Sequence, residues 1–212
     1  MAAEPLLLRE VSSRAFWGLS KLLDGRGDIV AALLEVDECP FPEQPVILNV
    51  HLWRASLSLL FVENHVSFER LRRRTDLVDT ALVYSSGFRG AALRLRKPQG
   101  ASIYYSRGCP DDATGAFEFA LFSVPDISTF FWGDLDYSGM AILAALRSTF
   151  PNAQAWRPGY EPMVERLRSG EGHSPLESGK EGQRPIDLTG CPYADEVLIP
   201  TLKASGLFID QE

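Results

Sequence analysis

Phe130-Phe131-Trp132-Gly133-Asp134-Leu135-Asp136-Tyr137-Ser138-Gly139-Met140 is the stretch that decides the fold of this chain. A short apolar run stops at two carboxylates set two residues apart, and a helical pattern begins directly after them. Residues i and i+2 of a strand share a face, so Asp134 and Asp136 project together from the strand's end. Two adjacent carboxylates repel each other unless a proton or a cation lies between them. The stretch therefore reads as a divalent metal site at the carboxyl edge of an α/β sheet, where such folds place their ligands. Asp and Gly also furnish ordinary strand-to-helix turns, and Asp136 or Ser138 equally suits a helix N-cap.

A second apolar run ends in acid in the same way: Leu57-Ser58-Leu59-Leu60-Phe61-Val62-Glu63-Asn64, followed at once by an amphipathic helical segment. If the two strands are neighbours in a parallel sheet, their acids meet at one edge. Oxygens from Glu63, Asp134 and Asp136 would make a hard site suited to Mg²⁺, with Mn²⁺ as the alternative.

Around these strands the pattern continues. Residues 6–36 read as mainly helical, 39–45 as a proline-rich turn, and 46–50 as a short strand. Strand 57–62 leads to helix 65–74. Strand 81–85 leads through Ser86-Gly87-Phe88-Arg89-Gly90 to a short helix near 89–96. Ser102–Ser106 and Phe117–Phe122 read as a hairpin-like insertion within 99–126. Strand 129–133, helix 138–149 and a further strand at Ala153–Trp156 follow. From Ser169 to Gly190 the composition turns to Gly, Ser, Glu and Pro, which predicts a mobile loop near 168–190. A last helix is expected over 193–204, stopped by Gly206. The alternation of strands and helices predicts a parallel sheet with right-handed crossovers. The domain reading is a helical lead-in over 1–50 packed on a core domain over 51–212.

At 212 residues, with 45% hydrophobic and 23% charged residues, the chain has the size and composition of one well-formed domain. No stretch approaches the run of roughly 18 to 20 apolar residues that crosses a bilayer, and the start lacks a secretory pattern. No membrane partner is expected. Cys39, Cys109 and Cys191 are odd in number and widely spaced, which reads as reduced thiols and a cytoplasmic location. The net charge of −7 argues against a protein that coats nucleic acid, but not against a nuclease. Basic residues cluster after the strands, at Arg70, Arg72, Arg73 and Arg74 and again at Arg89, Arg94, Arg96 and Lys97. Of these, Arg72, Arg73, Arg89 and Lys97 are candidate DNA-phosphate contacts, with a solvated helix face as the ordinary alternative. His65, two residues after Glu63, could approach a metal or phosphate. Trp17, Trp53, Trp132 and Trp156 are expected in the core, and His173 is expected to be incidental.

Glu at the end of one strand, a Gly turn after the next, then Gly133-Asp134-Leu135-Asp136 and Gly139 opening a helix together resemble a Toprim domain. The finer pattern, Val62-Glu63-Asn64 with Phe68, Tyr84-Ser85-Ser86-Gly87-Phe88, and Phe131 through Gly139, most resembles the C-terminal domain of JetD. JetD is the nuclease subunit of the Wadjet anti-plasmid system and is related to the A subunit of type IIB topoisomerases. Leu8-Arg9-Glu10 and Ser20-Lys21-Leu22-Leu23 resemble the lead-in to that domain. Phe208-Ile209-Asp210-Gln211-Glu212 resembles an acidic element near its end.

The resemblance implies a Toprim-like, Rossmann-like parallel sheet flanked by helices, and Mg²⁺-dependent DNA endonuclease activity in anti-plasmid or antiviral defence. Glu63, Asp134 and Asp136 would be the catalytic and metal-binding residues, Glu63 acting as ligand or as general acid–base. Asp210 and Glu212 are weaker candidates. The expected partners are DNA, a second copy of the chain as a homodimer, and an SMC-like defence complex or a separate DNA-binding chain, because the chain starts almost at the lead-in. With no Arg-rich context around a nucleophilic tyrosine, hydrolysis by water is expected rather than covalent transesterification. The competing readings are a catalytically reduced Toprim-like scaffold or partner-binding module, and an unrelated α/β phosphatase or receiver domain.

Overall fold

The computed structural model describes residues 6–54, 56–85, 94–96 and 100–211. It divides into two compact units, one up to Pro45 and one from Val46 onward.

The first unit carries helices α1 (Leu8–Ala15) and α2 (Gly27–Leu33). Ser12 ties its turn together, its hydroxyl donating to the Leu19 carbonyl at 2.6 Å and accepting from the Leu23 N–H. Arg9 pairs with Asp24 at 2.7 Å and donates to the Gln44 side chain at 2.8 Å. Trp17, expected in a core, is 92% exposed. It follows α1 in a left-handed conformation, which turns it out of the helix's apolar stripe.

The second unit is an α/β fold around a six-stranded, mostly parallel sheet in the order β4-β1-β3-β2-β5-β6. Its strands are β1 (Val46–His51), β2 (Ser58–Val62), β3 (Thr80–Ser85), β4 (Ala101–Tyr105), β5 (Thr129–Trp132) and β6 (Gln154–Ala155). Strands β3, β2, β5 and β6 run parallel, as the sequence predicts, while β1 runs antiparallel to β3. Residues 52–57 alone join β1 to β2, too few for the crossover helix that would keep the two strands in one direction.

Alternate residues of the central strands serve opposite faces. Leu59, Phe61, Ala81, Val83 and Phe131 enter a large core beneath helices α4 (Asp111–Ser123), α5 (Tyr137–Thr149), α6 (Arg157–Arg168) and α7 (Ile199–Ser205). Leu60, Val62 and Leu82 face the other way, packing against Phe68 and Leu71 of α3 (His65–Leu71), with Trp53, Trp132 and Trp156 along the margin. Strands buried on both sides read as continuous apolar runs, which is why β2 and β5 stood out in the sequence.

The expectation for residues 99–126 needs correcting. The region 99–126 is no hairpin: β4 pairs parallel with β1, and 111–123 is helix. The run Phe117-Glu118-Phe119-Ala120-Leu121-Phe122 satisfies a two-residue period, but Phe117 and Leu121, one helical turn apart, are the residues buried. Asp111 and Asp112 favour the helix by lying at its positive end. The final helix starts as a π-helical turn at Ala194–Leu198 before α7, and Gly206 stops it in the left-handed conformation as expected. The expected turn at 86–90, most of the helix near 89–96, and the candidates Arg89, Lys97 and Glu212 lie outside the described residues.

Candidate active site

Parallel pairing of β2 with β5, in the register Val62 to Trp132, brings the two acid-bearing strand ends side by side. The Glu63 N–H donates to the Trp132 carbonyl at 3.0 Å, and Glu63 Oε2 accepts from the Asp134 N–H at 3.1 Å. Between them Gly133 is required by space: a Cβ there would run into Glu63 Oε2 and the Phe131 ring. Its N–H donates to the hydroxyl of the fully buried Tyr160 at 3.0 Å. Gly139 is likewise excluded from bearing a side chain by the Asp134 carbonyl.

Asp136 caps α5, its Oδ1 accepting from the Gly139 N–H at 2.8 Å, and it is only 1% exposed. The capping role read from the sequence is therefore real. It uses one carboxylate oxygen and leaves Oδ2 turned into the site.

Two segments beyond the sheet complete the arrangement. Residues 208–211 lie against the acidic turn through paired backbone bonds between Leu135 and Ile209. Gln211, 3% exposed, ties the turn after β5 to the start of α3. Its N–H donates to Asp134 Oδ1 at 2.9 Å, and its side-chain amide donates to the Trp132 carbonyl at 3.0 Å. The same side chain accepts from the Asn64 N–H at 2.7 Å, and the Gln211 main-chain carbonyl accepts from the Ser67 hydroxyl at 3.2 Å.

The region expected to be a mobile loop supplies the second segment, and it reaches the site directly. Lys180 Nζ lies 2.8 Å from Asp134 Oδ2, 2.9 Å from Asp136 Oδ2 and 2.7 Å from Asp210 Oδ1. Gln183 donates to Asp136 Oδ2 at 2.8 Å and accepts from the Ser138 N–H at 2.9 Å. Nε2 of His173 stands 3.3 Å from Asp210 Oδ1, so this histidine is part of the arrangement.

Protonation follows from burial and charge. Burial first, then the negative charges of Asp134 and Asp136, raise the Glu63 pKa to about 7, against the opposing pull of the Asp134 N–H and Lys180. Burial works against the Lys180 charge more than any other single influence, but hydrogen bonds to Asp134, Asp210 and Asp136 together overcome it and hold the ammonium protonated. The Asp210 carboxyl, which burial alone would raise, is instead held low by Lys180 and His173.

The structure thus joins Glu63 to Asp134 and gathers Asp134, Asp136 and Asp210 around one positive charge. Among the described residues, no three His, Cys, Asp or Glu side chains stand as a ready-made metal cage; the aspartates are closed on Lys180 instead. The donor set still fits a hard divalent ion, since its groups are carboxylate oxygens that already converge on a cation. Arg72 lies elsewhere. It caps α3 and pairs with Glu69 at 2.7 Å, and Arg73 follows it on the return toward the opposite end of the sheet. Exposed His65 stacks near Phe68 and Tyr84 and lies 4.0 Å from Glu69.

A family model described as Wadjet protein JetD, C-terminal, matches residues 48–157. The chain belongs to the JetD C-terminal family. The JetD match runs from β1 through the start of α6 and includes Glu63, Asp134 and Asp136, while Lys180, Gln183, Asp210 and Gln211 lie beyond it. No curated protein matches the chain. Sequence reasoning missed Lys180, Gln183 and the part played by His173. Gln211 and Asp210 were visible only through the likeness of the C-terminal stretch to an acidic family element.

Proposed function

We propose that this JetD-family chain is a divalent-cation-dependent DNA nuclease domain of a Wadjet-type defence system, cutting phosphodiester bonds by hydrolysis. The observation that carries the reading is the convergence of Asp134, Asp136 and Asp210 on one positive charge at the carboxyl edge of β2 and β5, beside Glu63. Asp134 and Asp136 would hold Mg²⁺ or Mn²⁺, with Glu63 and Asp210 flanking them. When bound, the ion supplies Lewis-acid polarisation of a phosphoryl oxygen and makes a coordinated water more acidic.

The chain's own residues account for the rest. A carboxyl with a pKa of about 7 is poised to take a proton from an attacking water or give one to the departing oxygen at neutral pH, so Glu63 is the general acid–base. Gly133, held by Tyr160, sets the spacing between Glu63 and Asp134. Gln211 and the α5 cap hold the second oxygens of Asp134 and Asp136, so their remaining oxygens point the same way. Acids held in place in this way would keep the ion fixed where charge develops on the phosphate.

The test is conversion of supercoiled plasmid by the purified chain with Mg²⁺ or Mn²⁺, beside an Asp134→Ala/Asp136→Ala variant. Nicking or linearisation that requires metal and vanishes in the variant supports the reading. Metal-independent cleavage, or cleavage that survives in the variant, rejects it.

A further inference from the structure

Lys180 is carried by a segment whose construction explains how it could leave. At its start, His173 pairs backbone to backbone with Phe208. Past its end, the Asp195 carboxylate accepts from the Thr189 N–H, the Thr189 hydroxyl and the Gly190 N–H at 2.7 to 3.0 Å. Between these anchors the chain folds on itself. The Ser174 N–H donates to the Glu177 side chain at 2.7 Å, the Lys180 N–H to the Pro175 carbonyl at 2.7 Å, and the Gln183 N–H to the Lys180 carbonyl at 3.1 Å. Leu176 on its outer side is 75% exposed. The side chains of Lys180 and Gln183 are what it inserts into the acidic edge, much as two prongs enter a socket.

The oxygens Lys180 takes are the ones a divalent ion would need. Asp134 Oδ1 is bound to the Gln211 N–H and Asp136 Oδ1 to the Gly139 N–H, which leaves the two Oδ2 atoms facing Nζ. One ammonium leaves three aspartates net negative, with Glu63 alongside. A divalent ion in the same place would neutralise more of that charge than one ammonium does.

We propose that Lys180 and a divalent ion are alternative occupants of the three-aspartate site, so that segment 174–188 is a tethered plug that metal binding releases. The proposal rests on the metal reading given above. A ligand that binds only one of two arrangements shifts the balance toward it by its differential affinity. The plug therefore lowers the apparent affinity for metal, and metal frees the plug.

The experiment measures Mn²⁺ binding by calorimetry on the whole chain and on Lys180→Met, with amide hydrogen exchange over 174–188 in the wild type with and without Mn²⁺. The expected result is about tenfold tighter Mn²⁺ binding by Lys180→Met, a coupling of ordinary size, and faster exchange in the wild-type segment once Mn²⁺ is added. The exchange measurement needs no variant, so it stands even if Lys180→Met folds poorly. Equal or weaker binding by the variant, with protection of 174–188 unchanged by Mn²⁺, overturns the plug while leaving the metal site standing. Absence of Mn²⁺ binding in both proteins overturns the metal reading and the plug together.

Discussion

Glu63, Asp134 and Asp136 stand at the ends of β2 and β5, whereas Lys180, Gln183, Asp210 and Gln211 arrive from a turn-rich segment and the C-terminal stretch. In the first region, position is a by-product of the sheet. Once β2 and β5 pair in register, their next residues have nowhere else to go. In the second, position depends on individual side-chain hydrogen bonds that no periodic pattern announces. The difference teaches that this fold can display acids at one edge from strand register alone, but needs its irregular segments to hold and balance them.

The sharpest way to break that comparison is Gln211→Ala. The substitution removes both side-chain bonds, the one accepted from the Asn64 N–H and the one donated to the Trp132 carbonyl. Two lost hydrogen bonds at about 1 kcal/mol each cost about 2 kcal/mol, a fall in Tm of roughly 4–8 °C for a chain of this size. Differential scanning calorimetry reads it, and a change within error would show that the C-terminal stretch only decorates the edge. Gly133→Ala probes the strand-built side. Its methyl group would press on Glu63 and the Phe131 ring, so overpacking should cost about 2 kcal/mol, measured by urea denaturation. An unchanged midpoint would mean the spacing between the two acids is not set by that close approach.

Glu63→Gln sharpens the electrostatic half. A carboxyl whose pKa is raised from 4.5 to about 7 on folding gives stability that is fully present below 4.5 and lost as the pH climbs through 7. Wild type should therefore lose stability across that window, measured with chelator present. The glutamine variant should lose less, with Tm values close together at pH 4 and diverging in its favour by pH 8. Parallel pH profiles would place Glu63 in an ordinary environment. The smallest effect belongs to Arg72→Ala, away from the acidic edge. Its half-buried pairing with Glu69, one turn away on the same helix, is worth about 1 kcal/mol or less, and thermal stability should barely move.

Legibility in the sequence divided along the same line. Strands β2 and β5 were readable because burial on both faces makes unbroken apolar runs, and their terminal acids were readable because charge after such a run is costly without a purpose. The capping carboxylate of Asp136 was visible in advance as well. Phe117 through Phe122 fits two periods equally well, and only the burial of Phe117 and Leu121 settles it as helix. Segment 174–188 has the composition of a linker, and nothing local in Lys180 or Gln183 says that both reach back to acids more than forty residues earlier in the chain. Long-range polar contacts of single side chains leave no period to read.

The most direct measurement is a crystal structure of the whole chain soaked with Mn²⁺, with the ion located by its anomalous signal. The account predicts a peak against the Asp134 and Asp136 carboxylates, with the Lys180 side chain withdrawn from them. A peak elsewhere, or carboxylates still closed on Lys180 at saturating Mn²⁺, would contradict it.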